Sequence, residues 1–200
     1  MLFRSATEGN PSLDAYFKDA KMNYFLKSHH SRMEIKTAFG NTITLADEKT
    51  GESVILNEYG NQKMLIRMNA EQSIEANKKN QQPVIQYTEE TKTIAGYLCK
   101  HAFLRFENGT SFSVYYTPDL KFQNTNYGIP SKDINGFPLE YEAEINKMKV
   151  TYTATNVSTD PVDADLFEVP TSGYREMKYG DLPKNRSEEH TSELQSRQYL

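Results

Sequence analysis

Period-two alternation of apolar and polar residues is the feature that most constrains the fold of this chain. From Arg32 to Met68, apolar residues recur at alternate positions in short runs, and Gly- and Asn-bearing turns separate the runs. Successive side chains of a strand point to opposite faces, and short alternating runs joined by tight turns are typical of an antiparallel meander. We therefore expect a chain built mainly from antiparallel hairpins.

Three turns, near residues 40, 50 and 60, predict the register of this meander. Read as loops of three, four and three residues, they place Leu45 opposite both Ile35 and Val54, and Val54 opposite Ile66. A slip of one residue would turn a strand's apolar set to the other face, so the agreement of the three turns predicts one shared apolar side. We expect the opposite side, with Asn57, to meet water. The predicted apolar residues are Ile35, Leu45, Val54, Met64 and Ile66.

Two further hairpins are predicted downstream. Strands near 97–106 and 111–116 are joined at Asn108-Gly109, a strong short hairpin signal. A turn at Asn146-Lys147 pairs Tyr141 with Tyr152 and Ala143 with Val150. This last hairpin extends the predicted apolar side by the residues Tyr141, Met148, Val150 and Tyr152.

One short helix is expected near 69–80. Asn69 is suited to cap its N-terminus, Gln72 completes a capping box, and Pro83 follows the end. The fold class is therefore mainly β: a curved antiparallel sheet or open half-barrel with this single helix. The chain length fits one domain.

Both ends of the chain carry an unusual signature. Residues 186–200 begin with the peptide that results from translating a widely used sequencing-library adapter, and residues 1–5 match the opposite adapter. Such scars are set aside before the fold is considered. The domain is expected to span residues 6–185 and to be truncated at its N-terminus, with residues 186–200 disordered.

Composition excludes some partners. The formal net charge is −4 and the basic residues are not clustered, which argues against a nucleic-acid partner because phosphate binding needs concentrated positive charge. No run approaches the roughly 20 apolar residues of a membrane helix. The single cysteine, Cys99, rules out an internal disulfide.

The reactive side chains have ordinary interpretations. His29, His30 and distant His101 do not have the spacing of a metal site, because adjacent histidines on a strand point to opposite faces. Cys99 beside Lys100 is interpreted as a buried structural thiol. The row Glu140, Glu142 and Glu144 is interpreted as a solvated sheet face rather than a glycosidase pair. We expect no enzymatic activity, no cofactor and no metal.

Two sequence blocks carry a resemblance. Residues 93–100, Thr-Ile-Ala-Gly-Tyr-Leu-Cys-Lys, and residues 136–141, Gly-Phe-Pro-Leu-Glu-Tyr, resemble an uncharacterised family of exported bacterial domains of unknown function. The likeness runs over most of residues 17–179. Such domains are similar in fold to periplasmic lipoprotein carriers and outer-membrane lipoprotein receptors. The resemblance implies a periplasmic or outer-membrane-associated protein, whose signal peptide was lost upstream of the clipped start, and a first strand that precedes Ala6.

The function expected from these features is non-enzymatic. The predicted apolar side would bind an apolar ligand, either a lipid or an acylated protein, on a concave sheet in the cell envelope. The alternative is an interaction or assembly domain with a filled core and no ligand cavity. Ligand, partner and oligomeric state are left open by the sequence.

Overall fold

The computed structural model describes residues 1–7, 20–77, 83–121, 134–145 and 148–181. Within them the chain is mainly β, as predicted, with one short helix and two short 3-10 turns, Ala164–Phe167 and Tyr179–Asp181. No helix in this part of the chain is long and apolar enough to cross a membrane. The elements are β1 Leu2–Thr7, β2 Lys21–Lys27, β3 His30–Lys36, β4 Asn41–Asp47, β5 Ser53–Tyr59, β6 Gln62–Met68, α1 Ala70–Asn77, β7 Val84–Ile94, β8 Tyr97–Arg105, β9 Ser111–Thr117, β10 Phe137–Ile145, β11 Met148–Asn156 and β12 Arg175–Lys178.

All twelve strands form one open sheet in the order β12-β6-β5-β4-β3-β2-β1-β11-β10-β9-β8-β7. Neighbours are antiparallel except β12, which runs parallel to β6. β1 joins the two halves of the sheet, because it pairs with β2 on one side and with β11 on the other. The two edges are therefore β7 and the four-residue β12.

β1 contains four of the five N-terminal residues that match a sequencing adapter, residues 2–5. Phe3 is 1% exposed, and the amino group of Met1 donates a hydrogen bond to the carbonyl of Tyr24 at 2.8 Å. Since the resemblance places the family's first strand before Ala6, a start at that residue would leave one edge of the sheet missing or unpaired; the structure instead has a strand in this place. Leu2–Thr7 occupies an internal position, where it pairs with the backbones of β2 and β11 and where Phe3 enters the core.

Only one of the three predicted meander registers is correct. Leu45 lies opposite Val54, as predicted. Ile35 instead lies opposite Thr42, since the turn before β4 is a four-residue loop, residues 37–40. The hydroxyl of Thr37 donates to the carbonyl of Gly40 at 3.2 Å, and a Cβ on Gly40 would lie 2.3 Å from the carbonyl oxygen of Glu58. That close approach of β5 requires glycine.

The third register is shifted by one residue. The turn between β5 and β6 has two residues, Gly60 and Asn61, and Gly60 adopts a φ of +56°. Two-residue loops are the commonest hairpin connections, and glycine supplies the left-handed conformation at their first position. The shorter turn places Arg67 opposite Val54, so Ile66 faces the opposite side from the predicted one.

The sheet curls towards one face. β2 and β10 are separated by β1 and β11, about 14 Å in a flat sheet. The rings of Tyr24 on β2 and Phe137 on β10 nevertheless have centroids 6.2 Å apart. We call the side to which these rings point the inner face and the opposite side the outer face. β7 also contacts β11, so the curl is pronounced in this half.

Two separate apolar clusters result. The outer cluster comprises Ile43, Leu45, Val54, Leu56 and Leu65, with Val169 and Tyr174 packed against it. The inner cluster comprises the buried residues Phe3, Ala20, Met22, Tyr24, Ile94, Cys99, Ala102, Leu104, Val114, Tyr116, Leu120, Ile134, Phe137, Leu139, Tyr141, Val150, Tyr152 and Ala154.

The helix begins as predicted. The side chain of Asn69 accepts a hydrogen bond from the amide of Gln72 at 2.9 Å, and the side chain of Gln72 accepts one from the amide of Asn69 at 3.1 Å. This reciprocal pair is the capping box. The helix packs beside β6, and the hydroxyl of its Ser73 lies 2.8 Å from that of Ser53 in β5.

The segment after β11 crosses the outer face as a strap, which we define as residues 162–174. Lys27 donates to the carbonyl of Val162 and Arg32 to that of Leu166, both at 2.7 Å. The strap ends at Tyr174, whose hydroxyl donates to Glu58 at 2.6 Å. It therefore covers the outer cluster before β12 joins the edge of the sheet.

Candidate functional site

The inner face carries a group of aromatic side chains at the centre of the sheet. Tyr141 and Tyr152 lie directly opposite each other on β10 and β11, in the predicted register. Their rings stack, with centroids 5.2 Å apart and an interplanar angle of 23°. Phe3 meets Tyr141 edge-on at 6.2 Å. Neighbouring strands of a concave sheet thus bring their aromatic rings together into one wall.

The hydroxyl of Tyr141 is deeply buried and weakly bonded. Its partner is the thioether sulfur of Met22, at 3.7 Å. Burial raises the pKa of Tyr141, and the nearby hydroxyls of Tyr152 and Tyr24 raise it further. The phenol therefore remains protonated and acts as a hydrogen-bond donor inside an apolar environment.

The structure divides the predicted lining residues between the two faces. Tyr141, Val150 and Tyr152 belong to the inner cluster, and Ile35 packs against it from β3. Leu45 and Val54 belong to the outer cluster, so the prediction that all nine residues share one side is wrong.

Two residues of the prediction lie further along the inner face. Ile66 lies opposite Ile55 and is buried, and Met64 lies opposite Asn57 and is half-buried. Asn57, predicted to meet water, is 3% exposed and accepts a hydrogen bond from Thr42 at 3.0 Å. The backbone of Met148 in β11 pairs with that of Ile145 in β10, but the structure does not describe the Met148 side chain.

Sequence reasoning missed part of the inner wall. Met22, Tyr24 and Leu26 lie at alternate positions of β2, and apart from Phe25 the residues between and beside them are polar, a period-two signal that indicates a strand. Phe137 and Leu139, both 0% exposed, continue the strand that holds Tyr141. The alternation could have revealed β2. The place of β2 in the sheet could not be inferred. Two strands separate it from β10, and this depends on β1 lying between β2 and β11.

A polar cluster occupies the outer face of the same strands. His101 is 3% exposed, and its ring nitrogens lie 2.9 Å from the hydroxyls of Thr88 and Ser113. The carboxylate of Glu90 lies 3.6 Å from Nδ1, and the ring of Tyr115 lies 4.5 Å from the imidazole. These contacts tie β7, β8 and β9 together.

The serine–histidine pair in this cluster does not have the surroundings of a nucleophilic site. The backbone amide of Ser113 donates to the carboxylate of Glu142 at 2.8 Å. A negative charge therefore lies beside Ser113, whereas acyl transfer needs donors aimed at a developing oxyanion. The arrangement fits a buried polar clamp of the three strands.

The glutamate row is held by cations and hydroxyls. Lys92 binds Glu140 at 2.8 Å, and Thr153 donates to the same carboxylate at 2.8 Å. Lys149 binds Glu142 at 3.1 Å. These glutamates take part in side-chain pairs between strands on the outer face.

The cysteine and histidines have structural surroundings. Cys99 is 0% exposed, and burial raises its thiol pKa to about 11, so the thiol is protonated at neutral pH and is a poor nucleophile. His30 is exposed and lies 3.9 Å from Asp47. In the part of the chain that the structure describes, no group of three or more His, Cys, Asp or Glu side chains is arranged to hold a metal ion.

Comparison with known proteins identifies the family. Residues 14–174 match the family described as "Domain of unknown function (DUF4412)". The chain belongs to this DUF4412 family. No curated protein matches the sequence.

Similar solved structures cover most of the DUF4412 chain. Two crystal structures of PNGF-II, in space groups C2 and P21, each have a TM-score of 0.48, with 17% and 18% sequence identity. Each match covers 88% of this chain and 30% of PNGF-II. An uncharacterized conserved protein from Thermus thermophilus has a TM-score of 0.42 and 12% identity, and the match covers 88% of this chain and 89% of that protein.

Proposed function

We propose that this DUF4412 domain binds an apolar ligand, a lipid or the acyl chain of a lipidated protein, on its inner face in the bacterial cell envelope, without catalysis. The observation that carries the proposal is the curvature of an open sheet whose concave side is lined by Tyr141, Tyr152 and Phe3. Concave sites with mostly apolar and aromatic linings are typical of small-molecule binding.

Burial of the ligand would supply the binding energy. Each square ångström of apolar surface removed from water contributes roughly 25 cal/mol. Met22 belongs to the inner cluster, and its unbranched, flexible side chain suits a surface that repacks around an apolar ligand. At the open edge, Tyr87 is 51% exposed and its ring lies 5.9 Å from buried Tyr116, so an apolar path leads from the rim to the inner cluster.

A pair of substitutions on one hairpin tests the proposal. Ala143 is partly buried against the inner cluster, whereas Thr151, on the neighbouring strand, faces the outer side with Glu142. Ala143→Phe fills space on the inner face, and Thr151→Phe adds the same ring outside. We expect Ala143→Phe to weaken the binding of an environment-sensitive fluorescent acyl probe and Thr151→Phe to leave it unchanged.

Two results would overturn the proposal. One is a purified, delipidated wild-type domain that takes up no acyl probe. The other is equal binding by Ala143→Phe, Thr151→Phe and the wild type, with native mass spectrometry showing the same lipid occupancy. Circular dichroism of both variants checks that the sheet is retained.

A second candidate, an interaction or assembly domain with a filled core, is favoured by a different observation. The edge strand β7 exposes Val84 by 71%, and long exposed edges with apolar side chains recruit partner strands. In that case Val84→Lys would abolish association with a partner or a second copy, as measured by light scattering. Acyl-probe binding would be absent in every variant.

A further inference from the structure

The hydroxyl of Tyr141 differs from those of the tyrosines on the outer face. The hydroxyl of Tyr174 donates to Glu58 at 2.6 Å and that of Tyr115 donates to Glu90 at 3.2 Å, both to carboxylates. Tyr141 is 6% exposed, yet among the described residues the hydrogen-bond partner of its hydroxyl is the sulfur of Met22, at 3.7 Å. A thioether is a weak acceptor, and a good O–H···O bond is about 1 Å shorter. Buried donors with so poor a partner are uncommon and call for an explanation.

The surroundings of Tyr141 select the kind of acceptor it could take. The ring of Tyr152 stacks on that of Tyr141, the ring of Phe3 meets it edge-on, and the neighbouring hydroxyls of Tyr152 and Tyr24 are phenols rather than cations. An ionised carboxylate would lose its hydration there without a cation to compensate, which is costly. A neutral carbonyl oxygen loses far less hydration and accepts one hydrogen bond well.

Met22 occupies the place where such a carbonyl would lie. Its side chain reaches from β2 to the hydroxyl of Tyr141 on β10, across β1 and β11. An unbranched thioether can change rotamer at small cost. If it moves aside, the hydroxyl points into the space it leaves.

We infer that the hydroxyl of Tyr141 is the polar anchor of the inner face, and that it binds the ester carbonyl of an acyl ester whose hydrocarbon chain lies along the inner cluster. This assignment rests on the proposed function and adds the chemical class of the ligand. Met22 fills the position in the free protein and withdraws when the ester binds.

The test compares two lipids that differ in one carbonyl. A monoacylglycerol supplies the ester, and the alkyl-ether analogue of the same chain length lacks the carbonyl oxygen. Their affinities are measured by displacement of a fluorescent acyl probe from the wild type, Tyr141→Phe and Tyr115→Phe. Tyr115→Phe is the matched control, since it removes a tyrosine hydroxyl that donates to the carboxylate of Glu90 rather than to the sulfur of Met22.

We expect Tyr141→Phe to weaken binding of the ester about tenfold, the effect of one lost hydrogen bond, and to leave binding of the ether unchanged. Tyr115→Phe should change neither affinity. The melting temperature of Tyr141→Phe should equal or exceed that of the wild type, because the lost hydroxyl had only a thioether partner in the folded protein.

The possible outcomes distinguish failure of the Tyr141 anchor from failure of the proposed lipid-binding function. If the wild type binds both lipids and Tyr141→Phe weakens both equally or neither, the anchor is wrong while the carrier function stands. If the wild type binds neither lipid, the proposed function itself fails. An equal loss of ester binding in Tyr115→Phe would also contradict the assignment to Tyr141.

Met22→Leu gives an independent check that does not alter the tyrosine. It removes the sulfur that competes for the hydroxyl and keeps a similar volume. The ratio of ester to ether affinity should rise in this variant. A fall in the ratio would overturn the anchor.

Discussion

The two apolar clusters of this sheet are built in different ways. The five buried residues of the outer cluster are aliphatic, come from the consecutive strands β4 to β6, and are covered by the strap through Val169 and Tyr174. The inner cluster draws its residues from both ends of the chain and centres on tyrosine and phenylalanine rings. The outer cluster is therefore a local meander covered by the strap. The inner cluster is formed by strands distant in sequence and is enclosed by the curl of the sheet.

This difference indicates which face is available for function. The outer cluster already has its cover, held by hydrogen bonds from Lys27, Arg32 and Tyr174. The inner cluster contains a buried donor, the hydroxyl of Tyr141, whose acceptor in the described part of the chain is a thioether sulfur. A surface that is both concave and incompletely satisfied in hydrogen bonding is the better candidate for binding a ligand.

The largest expected effect lies in the inner wall. Phe137 is 0% exposed and faces Tyr24, so Phe137→Ala should lower the free energy of unfolding by about 3–5 kcal/mol, the usual cost of a large core cavity. Chemical denaturation followed by far-ultraviolet circular dichroism measures the change. A loss below about 1 kcal/mol would show that this wall is not part of the stable core.

The corresponding change in the outer cluster should cost less. Leu56 is 1% exposed, but its cover is the strap, an irregular segment that can settle onto a vacated site. We expect Leu56→Ala to lower the free energy of unfolding by about 2–3 kcal/mol, near the low end for such changes. A cost larger than that of Phe137→Ala, measured under the same conditions, would contradict this ranking.

The third prediction concerns the contact that ends the strap. Tyr174→Phe removes a hydrogen bond to Glu58 and should cost about 1 kcal/mol at neutral pH, since the site is partly open to solvent. The hydrogen bond from Tyr174, then the bond from Lys63, holds the pKa of Glu58 below its usual 4.5. A depressed carboxyl pKa stabilises the fold above pH 4.5, and that contribution disappears as the pH falls through the lowered value.

The control is the pH dependence of the difference in unfolding free energy between the wild type and Tyr174→Phe. Burial, then the bond to Glu58, raises the pKa of Tyr174 to about 12, so its contribution is complete below pH 10 and is lost between about pH 10 and 12. The stability difference between Tyr174→Phe and the wild type should thus be flat between pH 6 and 9 and shrink below pH 4.5. A difference independent of pH down to 3 would show that the hydrogen bond does not hold the strap.

The smallest effect is expected for an ion pair between β10 and β11 on the outer face. Lys149 lies 3.1 Å from Glu142, and its side chain is 43% exposed. Lys149→Met should change the free energy of unfolding by no more than about 0.2–1 kcal/mol, as for other exposed ion pairs, and added salt should reduce the change. A loss comparable to that of Leu56→Ala would mean that the glutamate row is a structural centre.

The parts of the fold that could be predicted are local ones. The hairpin of β10 and β11 has the predicted pairing of Tyr141 with Tyr152, and the capping box at Asn69 begins the helix. These features depend on side chains within about 12 residues of one another in the sequence, so turn chemistry and alternation are enough to define them.

The two registers that were wrong depend on the lengths and positions of their turns. A four-residue loop closed by Thr37 replaced the predicted three-residue one, and a two-residue loop at Gly60 replaced another. Because the period of a strand is two, the one-residue change at Gly60 moved Ile66 to the opposite face. The change before β4 left Leu45 outside while Ile35 faced inside.

Alternation and turn residues act over short distances, so they are enough to predict a mainly antiparallel β domain with one capped helix. Three features follow instead from long-range packing: Leu2–Thr7 joins the two halves of the sheet, the curl brings Met22 against Tyr141, and the strap covers the outer cluster. Those outcomes depend on contacts between residues more than a hundred positions apart, which no local pattern encodes.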